Sequence, residues 1–282
     1  MVGELMGADS KFRPPGASQI IDEAFHLLRN AALKLLPAYY IGSLPFVIGL
    51  LYFWADMSRA ADARQYLGWS SLAVAALYVW MKCWQAVFSM RLREHIVGQS
   101  ISAPASFRVT HLIVLQLAVH ASAFLVLPIA AIVVLPLGWC FAFYQNVTSA
   151  PPDRYNSLRV ICRHAWGQAV IWPRQNHLII ALMTLFSHFV ALNLALSIFA
   201  LPYLIKKFFG TDTIFTLSGV NALNSTFWVI VLALTYLCLD PIFKAVYTLR
   251  CFYSESLKTG TDIKTELNQC VALQRSEPSS LS

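Results

Sequence analysis

Charge is scarce in this chain. Asp, Glu, Lys and Arg make up 12% of its 282 residues while 57% are hydrophobic, against roughly 25% charged residues in an ordinary soluble domain. That balance excludes a soluble globule. Catalytic signatures are missing as well: there is no G-x-G-x-x-G, P-loop, H-E-x-x-H or G-x-S-x-G, and no pair of carboxylates close in sequence near a membrane surface. No enzyme, cofactor or metal is expected on those grounds. The first 34 residues hold no basic leader running into an early apolar core with a small-residue cleavage site, so the N-terminal segment is expected to be retained. Cys83, Cys140, Cys162, Cys238, Cys251 and Cys270 form no C-x-x-C pair and no metal-type spacing. They read as small apolar side chains in a reducing setting.

What the chain does have is length of apolar sequence. Runs at 35–54, 68–90, 111–127, 130–148, 177–203 and 224–249 each approach or exceed the roughly 20 residues that a helix needs to cross hydrocarbon. The third and fourth are divided at Pro128 because 38 residues are too many for one crossing. The sequence thus predicts an all-α, polytopic integral membrane protein with six transmembrane helices. Its parts are a cytoplasmic segment at 1–34, a membrane domain at 35–249 and a cytoplasmic tail at 250–282.

The net charge of +7 marks topology, and no nucleic-acid partner is expected. With both termini inside, Lys11, Arg13, Arg29, Lys34, Arg91, Arg93, Arg108, Arg154, Arg159, Arg163, Arg174, Arg250, Lys258, Lys264 and Arg275 all fall on the cytoplasmic side. Only Arg59, Arg64, Lys206 and Lys207 fall outside. Cations cross with difficulty, so that asymmetry orients the chain in a bacterial-type inner membrane.

Two connections carry apolar residues at helical spacing and predict amphipathic surface helices. One follows Ser18, with Ile20, Ile21, Ala24, Leu28, Ala31 and Ala32 on one face. The other follows Pro151 and Pro152, with Leu158, Ile161, Cys162, Ala165, Trp166 and Ala169 on one face and Arg159, Arg163 and His164 opposite. Such faces suit either anionic lipid or packing onto the spans themselves. Arg159, Arg163, Arg91 and Arg250 are the expected lipid-headgroup contacts. A parallel internal repeat is a further expectation: Ala86-Val87-Phe88-Ser89-Met90-Arg91 matches Ala245-Val246-Tyr247-Thr248-Leu249-Arg250, and Leu27-Leu28-Arg29-Asn30-Ala31 resembles Ile161-Cys162-Arg163-His164-Ala165.

Three ionisable residues sit inside apolar runs: Lys82, Asp240 and Lys244. Each costs about 2.5–3.5 kcal/mol in hydrocarbon on insertion scales, so each needs a partner or a wet cavity. Counted from Arg91 and Arg250, Lys82 and Asp240 lie about 14 and 15 Å deep, near the midplane. A buried Lys82–Asp240 ion pair is the expectation, with Lys244, one turn from Asp240, as a competing partner. The alternative is that the lysines reach the interface while Asp240, beside Pro241, bonds local backbone groups at a helix break. His120 and His188 lack a second ligand at suitable spacing and read as core polar residues.

From about residue 130 onward, Leu135-Pro136-Leu137 opens a span, Ser157-Leu158-Arg159 lies in a basic surface helix, and the last span leaves through Leu249-Arg250 toward Thr259-Gly260-Thr261-Asp262. That order resembles the membrane domain of bacterial glycerophosphoryl diester phosphodiesterases and of related uncharacterised multi-span inner-membrane proteins. The resemblance implies a membrane module without the hydrolytic domain. The expected function is a non-enzymatic scaffold or accessory subunit contacting membrane lipids or a partner membrane protein. The alternative is a small transporter or lipid-handling permease with a polar path near Lys82 and Asp240.

Overall fold

The computed structural model describes residues 15–59, 63–98, 106–134, 137–149, 157–213, 216–217, 219 and 223–260. Its main elements are seven helices: α1 (Ala17–Arg59), α2 (Ala63–Val97), α3 (Ser106–Val133), α4 (Leu137–Ser149), α5 (Leu158–Val170), α6 (Pro173–Phe209) and α7 (Ser225–Thr259). Among the described residues α1, α2, α3, α6 and α7 are long and apolar enough to cross a membrane.

Six crossings were expected and five such helices are present. The difference lies at the third and fourth runs. α3 continues through Pro128 to Val133, because in apolar surroundings an interrupted helix leaves backbone groups unpaired. The chain reverses at Val134, which adopts a left-handed φ of 67°. What remains for α4 is 13 residues, about 20 Å at 1.5 Å per residue and short of the roughly 30 Å hydrocarbon core. α3 and α4 form an antiparallel hairpin, tied by His120 Nε2 with Thr148 Oγ1 at 3.2 Å and by Ser122 with Tyr144 at 2.9 Å.

The first surface helix and the first span meet at a non-helical kink, Ala31 (φ −116°, ψ 17°), within α1. α7 stops at Thr259, where Gly260 (φ 59°) returns its N–H to Ser256 O at 2.8 Å. This left-handed glycine cap ends a helix without steric cost.

Both amphipathic faces turn toward the bundle. Ile20, Ala24, Leu28 and Ala31 join Tyr39, Phe88, Leu92, Met183 and Tyr247 in the main core, and Ile161 and Ala165 close a second core with Leu115 and Val147. A fully buried Ile such as Ile20 or Ile161 contributes about 1.5–3 kcal/mol on leaving water. Cys162 on α5 is partly buried, and burial pushes its thiol up from the ordinary cysteine value.

Helix ends gather on two faces. Gln175 donates to Pro15 O (2.7 Å), Arg250 to Gln175 Oε1 (3.3 Å), and Arg93 forms a bidentate ion pair with Glu255, which places the starts of α1 and α6 and the ends of α2 and α7 together. On the opposite face Arg59 at the end of α1 donates to Thr226 at the start of α7 (3.2 Å). Lys206 and Asp212 pair at 2.5 Å just beyond the Gly210 cap of α6, and this hydrogen bond holds the Asp212 carboxyl below its ordinary value.

Two prolines inside the long helices are compensated in the same way. Pro241 has no N–H to give to Leu237 O, and Tyr40 Oη on α1 donates to that carbonyl instead (3.4 Å). Pro45 leaves Ile41 O free, and Trp80 Nε1 on α2 supplies the missing donor (3.2 Å). A proline kink in apolar surroundings is tolerated when a neighbour satisfies the released carbonyl.

α1 and α2 approach closely at Gly42, where an added Cβ would fall 2.3 Å from Trp84 Cβ and 3.4 Å from Met81 O. Trp84 Cβ is fixed to its own backbone and cannot swing away. Gly42→Ala is therefore expected to separate the two helices and cost about 1–3 kcal/mol, the range for overpacking. A thermal unfolding curve in detergent checks this, with Gly68→Ala as the control, since nothing lies within 4 Å of that site.

The two halves share an order of amphipathic helix, break, long helix, long helix. The segments matched in sequence fall out of step with it: Ala31 is the kink itself, whereas its partner Ala165 precedes the break at Ile171–Trp172 by six residues.

Candidate functional site

The helical spacing of α2 and α7 sets out a row of polar groups, and α1 and α4 complete it. Asp240 is at the centre, nine-tenths buried. Its Oδ2 accepts from Gln85 Nε2 (2.8 Å), Tyr39 Oη (3.0 Å) and Tyr236 Oη (3.3 Å). Gln85 Nε2 also lies 2.8 Å from Tyr236 Oη. Lys82 Nζ donates to Gln85 Oε1 (3.0 Å) and stands 5.4 Å from the centre of the Tyr78 ring, a cation–π distance.

Lys82 and Asp240 thus belong to one network, and the expected direct ion pair is replaced by a bridge through Gln85. Gln85 lies one turn from Lys82, at i+3, and occupies the surface of α2 that faces α7. Lys244 does not compete for Asp240 either. Fully buried, it donates to Gln145 Oε1 of α4 (2.7 Å). The alternative of a helix break at Asp240 is also set aside, because α7 runs unbroken through Pro241.

Gln145 reaches Lys244 because α4 packs across α7. Phe141 contacts the rings of Phe243 and Tyr247, Gln145 bonds Lys244, Ser149 lies 3.3 Å from Thr248, and Asn146 Oδ1 accepts from Cys251 Sγ (3.1 Å). On the other side of α4, buried His120 meets Thr148. His188, by contrast, is exposed and returns Nδ1 to Thr184 O (2.8 Å).

The four arginines expected at lipid headgroups divide into two groups. Arg91, Arg159 and Arg163 are exposed. Arg250 is 1% exposed and turned inward: it bonds the Gln168 carbonyl (3.1 Å), the Ile171 carbonyl and Gln175 Oε1. These groups belong to the end of α5 and the turn into α6, where carbonyls have no helical partner. Arg250 is thus a strut between α7 and α5–α6 and not a lipid contact.

Sequence reasoning did not single out Tyr39, Gln85, Tyr236 or Gln145. Two of these had a signal, since Gln85 follows Lys82 by three residues and Tyr236 precedes Asp240 by four. Tyr39 and Gln145 had none. Asn146 is buried and donates to Ala165 O (3.1 Å), and Asn224 caps α7 by accepting from Phe227 N (3.0 Å). Among the described residues no cluster of three His, Cys, Asp or Glu could hold a metal.

Fold and site together define an all-helical bundle with five helices of membrane-crossing length and a hydrogen-bonded polar network inside it. No family model, curated protein or solved structure matches the chain.

Proposed function

We propose that the chain is a multi-pass protein of a bacterial-type inner membrane, acting as a non-enzymatic scaffold or accessory subunit. The face on which α1 and α6 begin and α2 and α7 end is read as cytoplasmic. That orientation rests on the excess of Lys and Arg there, Arg91, Arg159 and Arg163 included, and it directs these exposed cations toward anionic headgroups. A partner membrane protein is the further contact this role requires. The resemblance to the phosphodiesterase-associated membrane domain is in keeping with a module that lacks its own hydrolytic site.

One observation carries the reading. The ionisable groups that cost most in hydrocarbon are engaged in hydrogen bonds joining α1, α2, α4 and α7, which is how a structural polar core is built. A permease would instead present them to a water-filled path. That second reading draws on one feature, the presence of two lysines against a single carboxylate in the network.

Cysteine accessibility separates the two readings. With Gln85→Cys in a background lacking the native cysteines, a charged thiol reagent added from either side of sealed vesicles is expected to leave residue 85 unmodified. Modification at a rate comparable to a surface cysteine would establish an aqueous route to the network and replace the scaffold reading with the permease.

A further inference from the structure

One side of α6 is packed into the bundle and the other is uncovered. Ile179 and Met183 lie in the main core, and Ala191 and Leu194 pack with Phe227 and Val231 of α7. On the opposite side Leu178, Leu185, Phe189, Leu192 and Leu196 are each more than half exposed. Together with Leu182 they follow a heptad, with Leu178, Leu185 and Leu192 at d and Leu182, Phe189 and Leu196 at a. Acyl chains accept an apolar stripe of this kind as readily as a protein does. The polar side chains beside it do not share that indifference.

His188 and Asn193 flank the stripe at its g and e positions, and both are exposed. Each lies about 20 Å or more along the helix from Arg174 and from Lys206 at 1.5 Å per residue, which sets both within hydrocarbon. Their own helix satisfies each only in part. His188 Nδ1 donates to Thr184 O (2.8 Å), so Nε2 of the neutral ring is left as an acceptor. Asn193 Nδ2 gives one hydrogen to Phe189 O (2.8 Å) and keeps a second to donate. Lipid tails offer nothing to either group. Histidine inside a span almost always faces protein or a wet cavity, and Asn and His side chains hydrogen-bond across helices.

We infer that α6 forms a parallel two-stranded coil with α6 of a second copy of this chain, in which Asn193 Nδ2 of each copy donates to His188 Nε2 of the other. Three features select a second copy. All copies insert with one orientation, so two α6 helices meet parallel and at equal depth. In a parallel pair the g residue of one helix faces the e residue of the following heptad on its partner, five positions further on, and that is the separation of His188 and Asn193. The unused donor and the unused acceptor complement each other, and a two-fold axis makes the bond twice. Left-handed packing of this type is common among transmembrane helices. The inference rests on α6 being a span and is independent of the scaffold role, because the covered side points away from the polar network.

The test uses the full chain in liposomes, in a background lacking the native cysteines. Leu192→Cys and Leu196→Cys are expected to form an intermolecular disulfide on mild oxidation, because d meets d and a meets a across the axis. Leu201→Cys, similarly exposed on α6 but off the stripe, is expected not to. Energy transfer between labelled copies, followed as the protein is diluted with lipid, reads the affinity. Asn193→Leu and His188→Leu are each expected to weaken association about tenfold, the scale of polar pairs between model transmembrane helices, and the double variant no more than either single. Neither is expected to alter unfolding of the detergent-solubilised monomer, since no bond to another helix of the same chain is lost. Equal cross-linking at Leu201→Cys, additive losses in the double variant, or no energy transfer at any dilution would each overturn the assignment. So would cross-linking of Leu192→Cys in native membranes to a different protein alone. Modification of Leu196→Cys by a membrane-impermeant thiol reagent in sealed liposomes would instead place this side of α6 in water, which removes the span and the dimer together.

Discussion

Asp240→Ala is expected to lower the stability of the bundle by about 3–5 kcal/mol, the usual cost of removing one partner of a buried charged cluster. Three donors, from Gln85, Tyr39 and Tyr236, converge on its Oδ2, and all three lose their acceptor together. Individual hydrogen bonds in membranes average only about 0.6 kcal/mol. The large figure arises because Lys82, joined to Asp240 through Gln85, also loses the carboxylate opposite it. Asp240→Asn keeps an acceptor oxygen and is expected to cost less than half as much. Chemical unfolding in detergent, followed by tryptophan fluorescence, reads both. Lys82→Met adds a second arm: since Lys82 reaches Asp240 through Gln85, the double variant is expected to lose less than the sum of the singles by about 0.5–3 kcal/mol. Strict additivity would mean that the bridge does not couple them.

Arg250→Met is the second large effect, expected at about 3 kcal/mol or more. Its guanidinium serves the carbonyls of Gln168 and Ile171 and the amide of Gln175, so truncation strands buried acceptors at the turn between α5 and α6. The exposed arginines supply the contrast. Arg91→Ala, Arg159→Ala and Arg163→Ala are expected to change stability by no more than about 0.5 kcal/mol each. Any contribution they make to anionic lipid, about 1 kcal/mol per cation near the surface, would weaken as salt is raised. Limited proteolysis after Arg174 distinguishes the two kinds of arginine: loosening of the α5–α6 turn is expected for Arg250→Met alone.

Much of the fold was legible from apolar run length, because hydrocarbon requires long helices and the chain has little charge elsewhere. The amphipathic faces at Ile20–Ala31 and Leu158–Ala169 were legible for the same reason, periodicity. Whether they met lipid or the bundle was not, since both partners accept an apolar face. α4 defeated run length outright: the sequence through Pro128 is uniformly apolar, and only the reversal at Val134 divides it unevenly.

The candidate site shows the same division. Ionisable residues in apolar runs announced that Lys82, Asp240 and Lys244 would be held by something. Their partners lie as many as 201 residues away, as with Tyr39 and Asp240, and no local spacing encodes such a meeting. The donors that relieve Pro45 and Pro241 are equally remote, Trp80 and Tyr40 on neighbouring helices.

By itself, then, the sequence determined the helical class, the positions of the long apolar segments and the residues that would be expensive to bury. Tertiary structure decided that Gln85 stands between Lys82 and Asp240, that Lys244 answers to Gln145, and that Arg250 points inward. The physical reason is that burial cost is a property of each residue, whereas satisfaction of a buried group depends on which helix faces it.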